Sequence, residues 1–351
     1  MREGWTYKKL NEVCDKSSSN IVINKLDDNN GDYPLFGASG LVKNVDFYHQ
    51  DKPYIGIVKD GAGVGRVNTY PAYSSLVGTM QYIFPKEECL LNYVKYFLVK
   101  LDLSHCVSGA TIPHIYFKDY GKELIPIPPL STQLSIVSEL DKINELIRLK
   151  KEQLKDYDNL AQSIFYEMFG DPVENEKGWE VKKWKEVFNT ILGKMLDKSK
   201  QINHLKQYKY LANMNVQWGY FDLKELRSMT FTDEELAKYE LRNNDLLICE
   251  GGDAGRCAIW KETDETILFQ KAIHRARLID TDNADVVYIR YWMQFYKVNK
   301  GLKDYISKST IEHLTGDKLK RLPIPLPPLP LQHLFAQRIE QIERQKSAVQ
   351  K

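Results

Sequence analysis

Ile125-Pro126-Ile127-Pro128-Pro129-Leu130 stands directly before residues 131–169, a run of sequence that contains neither glycine nor proline. Gly170 followed by Asp171-Pro172 is typical of the end of a helix. The run therefore predicts a single helix, roughly 58 Å long. Apolar residues return in it at the seven-residue spacing of heptads, on two seams that only Lys150 interrupts: Leu140, Ile147, Leu154, Ala161 and Met168, and Ile136, Ile143, Tyr157 and Ile164.

The proline-rich step returns near the other end of the chain as Ile324-Pro325-Leu326-Pro327-Pro328-Leu329. In the residues that follow, 330–351, Phe335, Ile342 and Val349 keep the seven-residue spacing and predict a helix of about three heptads. This second helix is expected to be either naturally short or truncated. Two such helices most simply pair with each other as a coiled-coil-like spacer, although a helix buried in a domain core gives a similar stripe.

Other landmarks of the sequence also occur twice and in the same order, while the offset between the copies grows along the chain. Four ordered pairs, counting the proline-rich step, predict a duplicated unit with insertions in its second copy. The three further pairs are Gly4–Val13 with Gly178–Val187, Gly63–Val67 with Asp253–Cys257, and Ser108–His114 with Lys308–His313.

Short β-favouring runs alternate with turn signals in both copies, for example at 54–58 and at 245–249. Helices are predicted at 91–102 and 283–299. The predicted fold class is therefore α+β, with two pseudo-symmetric, β-rich domains and two long helices. The predicted boundaries are 1–130 for the first domain, 131–169 for the central helix, 170–329 for the second domain and 330–351 for the C-terminal helix.

The composition is that of an ordinary globular protein, with 351 residues, 43% hydrophobic residues and a net charge of only +2. If the chain binds nucleic acid, its positive charge must be gathered on one face of each domain. The five cysteines have no C-x-x-C spacing, which argues against a zinc ribbon or a disulfide framework and favours the reducing cytoplasm. The sequence contains no run of 18 apolar residues, so it predicts no membrane-spanning helix.

Sequence signatures of catalysis are missing: there is no P-loop, no H-E-x-x-H, no Pro-Asp of a restriction-nuclease core and no Asn-Pro-Pro or Asp-Pro-Pro of an amino-directed DNA methyltransferase. Gly61–Gly65 superficially suggests a dinucleotide loop, but Arg66 stands where the third glycine belongs and no helix pattern follows. His105-Cys106 is an isolated pair, for which a buried structural role is favoured over metal binding.

Together these landmarks resemble the specificity subunit of type I restriction–modification systems, over essentially the whole chain. The step from the proline-rich segment into a long helix is the most specific part of the resemblance, and the repeated Gly-Trp segments agree with it. The other segments that carry it are Tyr33–Gly40 and Val58–Arg66 in the first unit, and Tyr210–Gln217 and Leu246–Gly252 in the second.

The resemblance implies two target-recognition domains, each reading one half of a split, asymmetric target in double-stranded DNA, separated by two antiparallel helices. It also implies that the helices dock methyltransferase subunits and that restriction/translocase subunits complete the enzyme. Catalysis, S-adenosylmethionine, ATP and Mg²⁺ then belong to those partners, and this chain is a non-catalytic subunit without a cofactor or metal. The alternatives are a stand-alone DNA-acting enzyme, either a nuclease or a methyltransferase, with an unrecognised active site, and a coiled-coil scaffold without a DNA role.

Two arginines, Arg66 and Arg256, follow glycine-rich turns at equivalent places in the two units. A mobile turn that carries arginine is suited to enter a DNA groove, because the forked guanidinium recognises base edges and phosphates. An arginine that forms a local salt bridge beside a hairpin explains the pattern equally well.

Basic residues cluster at 194–209 and at 271–277 in the second unit, where strand alternation would place Lys271, Arg275 and Arg277 on one face and His274 on the other. Such runs are more often solvated surface than phosphate contacts. A Thr/His pair recurs before each proline-rich step, where it would face DNA or simply turn the chain. The candidate DNA-binding residues are Lys59, Arg66, Thr111, His114, Lys198, Lys200, Arg256, Lys271, Arg275, Arg277, Thr310 and His313.

Overall fold

A computed structural model of the chain describes residues 4–109, 111–195, 206–306 and 312–350. The chain divides into two compact units, Met1–Leu149 and Lys150–Lys351. Both mix helices with small antiparallel and mixed sheets, so the predicted α+β class is confirmed. Within the described residues no helix is long and apolar enough to cross a membrane.

The first unit contains nine strands and three helices before the long central helix. The strands are β1 (Thr6–Lys9), β2 (Cys14–Ser18), β3 (Tyr33–Gly37), β4 (Gly40–Val45), β5 (Tyr54–Val58), β6 (Val67–Tyr70), β7 (Ser75–Leu76), β8 (Met80–Pro85) and β9 (Leu124–Ile127). The helices are α1 (Leu10–Val13), α2 (Leu91–Lys100), α3 (Phe117–Tyr120) and the central α4 (Leu130–Phe169), which continues into the second unit.

The second unit repeats this order with one additional helix, Asp233–Tyr239, after its fourth strand. Its strands are β10 (Glu180–Lys183), β11 (Phe188–Leu192), β12 (Gln207–Leu211), β13 (Arg227–Thr230), β14 (Leu246–Cys249), β15 (Cys257–Ile259), β16 (Ile267–Phe269), β17 (Ile273–Leu278) and β18 (Pro323–Leu326). Its helices are α5 (Trp184–Val187), α6 (Asp233–Tyr239), α7 (Val286–Val298), α8 (Gly316–Leu319) and α9 (Leu329–Gln350).

The sheets of the two units have matching strand orders. A four-stranded sheet is ordered β2-β8-β5-β6 in the first unit and β11-β17-β14-β15 in the second. A three-stranded sheet, β4-β3-β7 or β13-β12-β16, contains one antiparallel and one parallel pair. A two-stranded sheet, β1-β9 or β10-β18, pairs the start of each unit with the segment before its long helix. The duplication predicted from the sequence is therefore a duplication of topology.

The repeated Gly-Trp segments form the same local structure. Gly4 and Gly178 both have positive φ, and a strand and a one-turn helix follow each of them. A glutamate then caps the helix in each unit: Glu12 accepts a hydrogen bond from the amide of Lys9, and Glu186 from that of Lys183. Such a cap satisfies an amide that the helix itself leaves without a partner.

Residues at the start of α4 pack in the first unit, and its last turns pack in the second. Val137 belongs to the core formed by α2 and the four-stranded sheet. Phe165 lies fully buried against Tyr288 of α7 and Phe335 of α9, with ring centroids 5.8 and 5.6 Å away. Aromatic pairs at these distances stabilise a core beyond the area they bury.

Within the second unit, α9 runs antiparallel to the end of α4. Phe335, early in α9, contacts Phe169 at the end of α4, whereas the ammonium of Lys346, late in α9, lies 2.8 Å from the carboxylate of Asp158. The predicted antiparallel pairing of the two helices is thus confirmed for this part of α4.

The predicted apolar seam of α4 is buried only in part. Ala161 and Met168 are buried, but Ile143 and Ile147 are 52% and 45% exposed. The pairing of the two helices reaches the last turns of α4 because α9, the shorter helix that the sequence predicted, has 22 residues against 40 in α4.

Candidate nucleic-acid interface

The glycine-rich turn of the first unit joins β5 to β6. Gly61 and Gly65 have φ values of 94° and 86°, which favour glycine. The amide of Gly65 donates to the carbonyl of Val58 at 2.9 Å, and the amide of Val58 donates to that of Arg66 at 3.0 Å. The turn therefore closes a hairpin between β5 and β6. A strand and not a helix follows it, as the sequence pattern predicted.

Hydrogen bonds attach this turn to the segment that carries the Thr/His pair. The amide of Gly61 donates to the carbonyl of Pro113 at 2.9 Å, and the amide of Ile115 donates to that of Lys59 at 2.9 Å. Asp60 and His114 form a β-bridge. Two segments that are far apart in sequence thus form one surface, which we call the first loop pair, residues 59–66 and 111–115.

The second unit builds the corresponding arrangement, which we call the second loop pair. It consists of residues 250–256 and 312–314 with the adjoining turn at 271–272, where the carbonyl of Ala272 accepts a hydrogen bond from the amide of Glu250 at 2.9 Å. The amide of Gly255 donates to the carbonyl of Cys249 at 3.0 Å, and the amide of Leu314 donates to that of Glu250 at 2.7 Å. Gly251 and His313 form the β-bridge. A Cβ at Gly255 would lie 2.7 Å from the side chain of Leu302, so both this packing and its φ of 88° require glycine.

Arg66 and Arg256 make equivalent local contacts. The guanidinium of Arg66 lies 3.5 Å from the carbonyl of Ala38, and that of Arg256 donates to the carbonyl of Asn213 at 2.8 Å. Ala38 follows β3 and Asn213 follows β12, the central strands of the two three-stranded sheets. The alternative prediction was a local salt bridge; instead, each arginine contacts a backbone carbonyl. The hydrogen bond in the second unit is the shorter of the two.

Buried polar atoms remain beside Arg256. Its Nε and the Oδ1 of Asn213 are both buried, and neither has a hydrogen-bond partner among the described residues. A buried polar group without a partner costs free energy. The sequence predictions did not include Asn213, although it lies inside the segment Tyr210–Gln217 that carried the resemblance.

The remaining candidates of the first loop pair have few partners. The Lys59 ammonium lies 2.6 Å from the carboxylate of its neighbour Asp60, and both side chains are about one-quarter to one-third exposed. Nδ1 of His114 lies 3.2 Å from the carbonyl of Ile112, and its ring contacts Tyr116 edge-on. Thr111 is exposed. Lysine, histidine and threonine are therefore presented together near one β-turn.

In the second loop pair, a lysine and a histidine surround a carboxylate. Burial raises the pKa of Glu250, while the charges of His313 and Lys271 act in the opposite direction. Lys271 is exposed and lies in a turn, closed by a 3.0 Å hydrogen bond from Ile273 to Gln270, because β17 begins only at Ile273. The prediction that Lys271 shares a strand face with Arg275 and Arg277 is therefore wrong.

Arg275 and Arg277 do lie on the same face of β17, and both have intramolecular partners. Arg275 is 7% exposed, and its guanidinium donates to the carbonyl of Glu240 at 2.8 Å. Arg277 binds the carboxylate of Asp245 through two hydrogen bonds of 2.7 Å, which raise the pKa of Arg277. Burial lowers the pKa of Arg275. Such arginines are typical supports of a fold.

His274 points to the opposite face of β17, as the alternation predicted. It is buried, and its Nε2 lies 3.3 Å from the carbonyl of Leu314 in the second loop pair. Burial lowers the pKa of His274 to about 4, so the imidazole is neutral at physiological pH. Three further candidates, Lys198, Lys200 and Thr310, lie outside the described residues.

Sequence comparison gives this arrangement a family. Residues 2–156 and 176–351 each match the type I restriction modification DNA specificity domain. The chain belongs to this family. The two matches contain the two loop pairs, so each unit carries its own specificity domain.

Curated relatives agree with the family at low identity. The chain is 22% identical over 281 residues to the type I restriction enzyme EcoKI specificity subunit of Escherichia coli, and 24% identical over 291 residues to the MjaVIII specificity subunit of Methanocaldococcus jannaschii. These matches cover 75% and 76% of this chain. They span 60% of the length of the EcoKI subunit and 67% of that of the MjaVIII subunit.

Two solved structures share the fold of this specificity-domain protein. The S subunit of a type I restriction–modification system from M. genitalium matches with a TM-score of 0.59 at 14% identity, covering 99% of this chain and 93% of that one. A chain from a study of complex assembly in a type I system matches with a TM-score of 0.56 at 18% identity, covering 99% and 92%. These two structures confirm the predicted fold, and the match of both units to the specificity domain confirms the predicted family.

Proposed function

We propose that this chain is the DNA-sequence-specificity subunit of a type I restriction–modification enzyme and reads a bipartite, asymmetric target in double-stranded DNA. The observation that carries the proposal is that the same loop pair occurs in both units with different side chains. The first presents Lys59, Asp60 and Thr111 beside His114, whereas the second presents Glu250 and Gly251 beside His313. Two loop pairs with the same backbone arrangement and different side chains are suited to bind two half-targets of different sequence.

Contacts to phosphate and to bases are divided among these residues by their chemistry. Lys59 and Lys271 are assigned to phosphates together with Lys198 and Lys200, because lysine acts as a point charge. Hydroxyl and imidazole groups form hydrogen bonds to bases or phosphates; those assigned here are Thr111, His114, Thr310 and His313.

The four arginines divide by their intramolecular contacts. Arg66, which has the looser contact, is assigned to a groove, and Arg256 is assigned to the same region of the second unit. We assign Arg275 and Arg277 to holding β17 in place behind the second loop pair, because their guanidinium groups already have partners inside the unit.

Catalysis in this proposal belongs to partner subunits. Methyltransferase subunits with S-adenosylmethionine would dock on the long helices, and restriction/translocase subunits with ATP and Mg²⁺ would complete the enzyme. The exposed apolar residues in the middle of α4 support a docked partner. The five cysteines form no disulfide, which is consistent with work in the reducing cytoplasm.

Co-expression of this chain with a type I methyltransferase subunit, followed by mapping of methylated sites in random DNA, tests the proposal. A split, asymmetric methylated motif that depends on the chain is expected. The matched controls are the methyltransferase alone and a chain in which Lys59 and His114 are both alanine, which should disturb one half of the motif and leave the other. Methylation that ignores the presence of the chain would contradict the proposal.

A further inference from the structure

A His/Cys/Glu cluster lies in the first unit apart from the residues assigned to DNA. The 3₁₀ turn Leu103–Cys106 presents His105 and Cys106, and Glu123 approaches them from the residue before β9. Nε2 of His105 lies 2.8 Å from a carboxylate oxygen of Glu123. One ligand atom from each of the three residues fits within 4.8 Å of the others. The pair that looked isolated in the sequence thus has a third member.

The local structure holds the two segments in position. The side chain of Asp102 caps the turn by accepting a hydrogen bond from the amide of Ser104 at 2.9 Å. Leu103 is buried beneath the turn of the first loop pair, with its Cβ 3.9 Å from the position that a Cβ on Gly65 would take. Glu123 is fixed by the pairing of β9 with β1. The three donors therefore come from elements with defined places in the unit.

The donor set has the chemistry of a zinc-class site. Zn²⁺ binds imidazole nitrogen, thiolate sulfur and carboxylate oxygen at about 2.0–2.3 Å, which places the ligand atoms of a tetrahedral site about 3.3–3.8 Å apart. The three ligand atoms lie within 4.8 Å of one another, so they must approach by up to about 1.5 Å to reach that geometry. The soft thiolate disfavours Mg²⁺ and Ca²⁺, which prefer oxygen. Three protein ligands leave a fourth position for water.

Nearby charges favour a cation. The carboxylates of Glu123 and Asp102 act on His105, and those of Glu123 and Asp119 act on Cys106. The ammonium of Lys122 opposes them. Three carboxylates against one ammonium make the surroundings of the cluster negative.

We propose that His105, Cys106 and Glu123 bind one divalent ion of the zinc class, with water as its fourth ligand. The ion joins the 3₁₀ turn to the start of β9. Between these ligands the chain forms the segment that carries Thr111 and His114, so metal binding stiffens one side of the first loop pair. This last consequence rests on the proposed DNA-binding function, whereas the site itself does not.

The duplication supplies an internal comparison. At the corresponding positions of the second unit stand Asp304, Tyr305 and Leu322, of which Leu322 is fully buried. This set offers a single carboxylate. The proposed ion therefore distinguishes one unit from its copy, and one equivalent of metal per chain is expected.

Titration of Co²⁺ into the full-length, tag-free chain after removal of metals by chelation tests the site. We expect one equivalent to bind with a thiolate-to-cobalt charge-transfer band, and Zn²⁺ to displace it. In Cys106→Ser the band should vanish, and in Glu123→Gln and His105→Gln the affinity should fall on the order of tenfold or more. All three residues are partly exposed, and circular dichroism checks that the variants are folded.

A matched control is available in the second unit. Nε2 of His333 lies 3.7 Å from the carboxylate of Asp285, which pairs an exposed imidazole with a largely buried carboxylate and involves no thiol. His333→Gln should leave Co²⁺ binding unchanged. Binding without the charge-transfer band, or a band that survives in Cys106→Ser, would overturn the proposal. Because no DNA is present, failure here is distinguishable from failure of the proposed DNA-binding function.

Discussion

Gln133 and Gln332 are both fully buried and make the same three hydrogen bonds near the start of the two long helices. In each case Oε1 accepts from the amide at the start of a neighbouring helix, Leu90 for the first and Asp285 for the second, both at 2.9 Å. Nε2 donates to two carbonyl groups, those of Glu88 and Pro128 and those of Asn283 and Pro327. The side-chain amide of each glutamine thus connects a proline-rich step to the start of a helix, α2 in the first unit and α7 in the second.

We expect Gln133→Ala to destabilise the first unit by about 1–3 kcal/mol, because it leaves a buried amide and buried carbonyl groups without partners. Urea unfolding followed by circular dichroism measures the change. Gln153→Ala, at an exposed position on the same helix, is the control and should shift the free energy of unfolding by less than about 0.5 kcal/mol. Equal effects of the two substitutions would show that the buried network is not important for stability.

The long helices, the order of the repeats and several strands were predictable because they depend on local periodicity and on self-similarity. The structure places β5 at Tyr54–Val58, where an apolar run meets a glycine-rich turn, and α4 at Leu130–Phe169, within one residue of the predicted helix. Heptad spacing indicates which face of α4 is apolar, and it predicted a second helix of about three heptads. It does not show which turns of α4 that shorter helix covers, so the exposure of Ile147 was not predicted from the sequence.

The candidate site was predictable at the level of segments and not of side chains. Recurrence of the Gly-Arg and Thr/His segments predicted their importance, and the hydrogen bonds between them appear only in the fold. A run of charges in the sequence does not show which residues pair with it. Arg277 binds Asp245, which directly precedes the neighbouring strand β14, and Glu123 reaches His105 through the pairing of β1 with β9. Such long-range contacts leave no periodic signal.

Arg277→Met separates a structural from a DNA-reading role for this arginine. Asp245 is 1% exposed, and loss of Arg277 leaves its buried carboxylate with the amide of Arg242 as the one remaining close donor among the residues that the structure describes. We expect a loss of about 3–5 kcal/mol in the stability of the second unit. The double variant with Asp245→Asn should recover part of this loss in thermal unfolding. A stable Arg277→Met protein with a changed methylated motif would instead assign the arginine to DNA.

The stability of the second unit should depend on the ionisation of His274. Its folded pKa of about 4 lies below the ordinary value of 6.5, so between these values the unfolded chain binds a proton that the folded chain does not. The contribution is fully present above pH 6.5 and is lost as the pH falls towards 4, by about 3 kcal/mol in total.

Urea unfolding at pH 5.0 and 7.0 measures this dependence. Because Glu250 lies 3.9 Å from His274 and also titrates, the decisive quantity is the difference in pH dependence between the parent and His274→Gln. The variant should be the less pH-dependent of the two, whatever its absolute stability. Identical slopes would argue against a neutral buried imidazole.

The apolar middle of α4 should matter for assembly and little for folding. Leu146 and Ile147 are 54% and 45% exposed, so replacing both with glutamate should change the free energy of unfolding by less than about 0.5 kcal/mol each. The same double variant should weaken association with a methyltransferase subunit, measured by analytical ultracentrifugation. Gln153→Glu together with Asn159→Glu, also exposed on α4, adds the same two negative charges, serves as a charge-matched control and should retain association. A double glutamate variant that assembles normally would remove this stripe from the docking surface.

Lysines of the two loop pairs should contribute to DNA binding in a salt-dependent way that does not depend on base sequence. Each phosphate contact releases a condensed counterion, so Lys271→Ala should reduce the slope of log affinity against log salt by about 1. Lys59→Ala should do so less, because the ammonium of Lys59 already lies 2.6 Å from Asp60 and its release from that carboxylate offsets part of the gain. Fluorescence anisotropy over a salt series with the assembled methyltransferase measures both slopes. The control is Lys209→Ala. Lys209 lies on β12, and its ammonium is 2.8 Å from the carboxylate of Glu265. If the salt slope is unchanged in Lys271→Ala and changes in Lys209→Ala, the phosphate contacts of the second unit lie on the three-stranded sheet and not on the second loop pair.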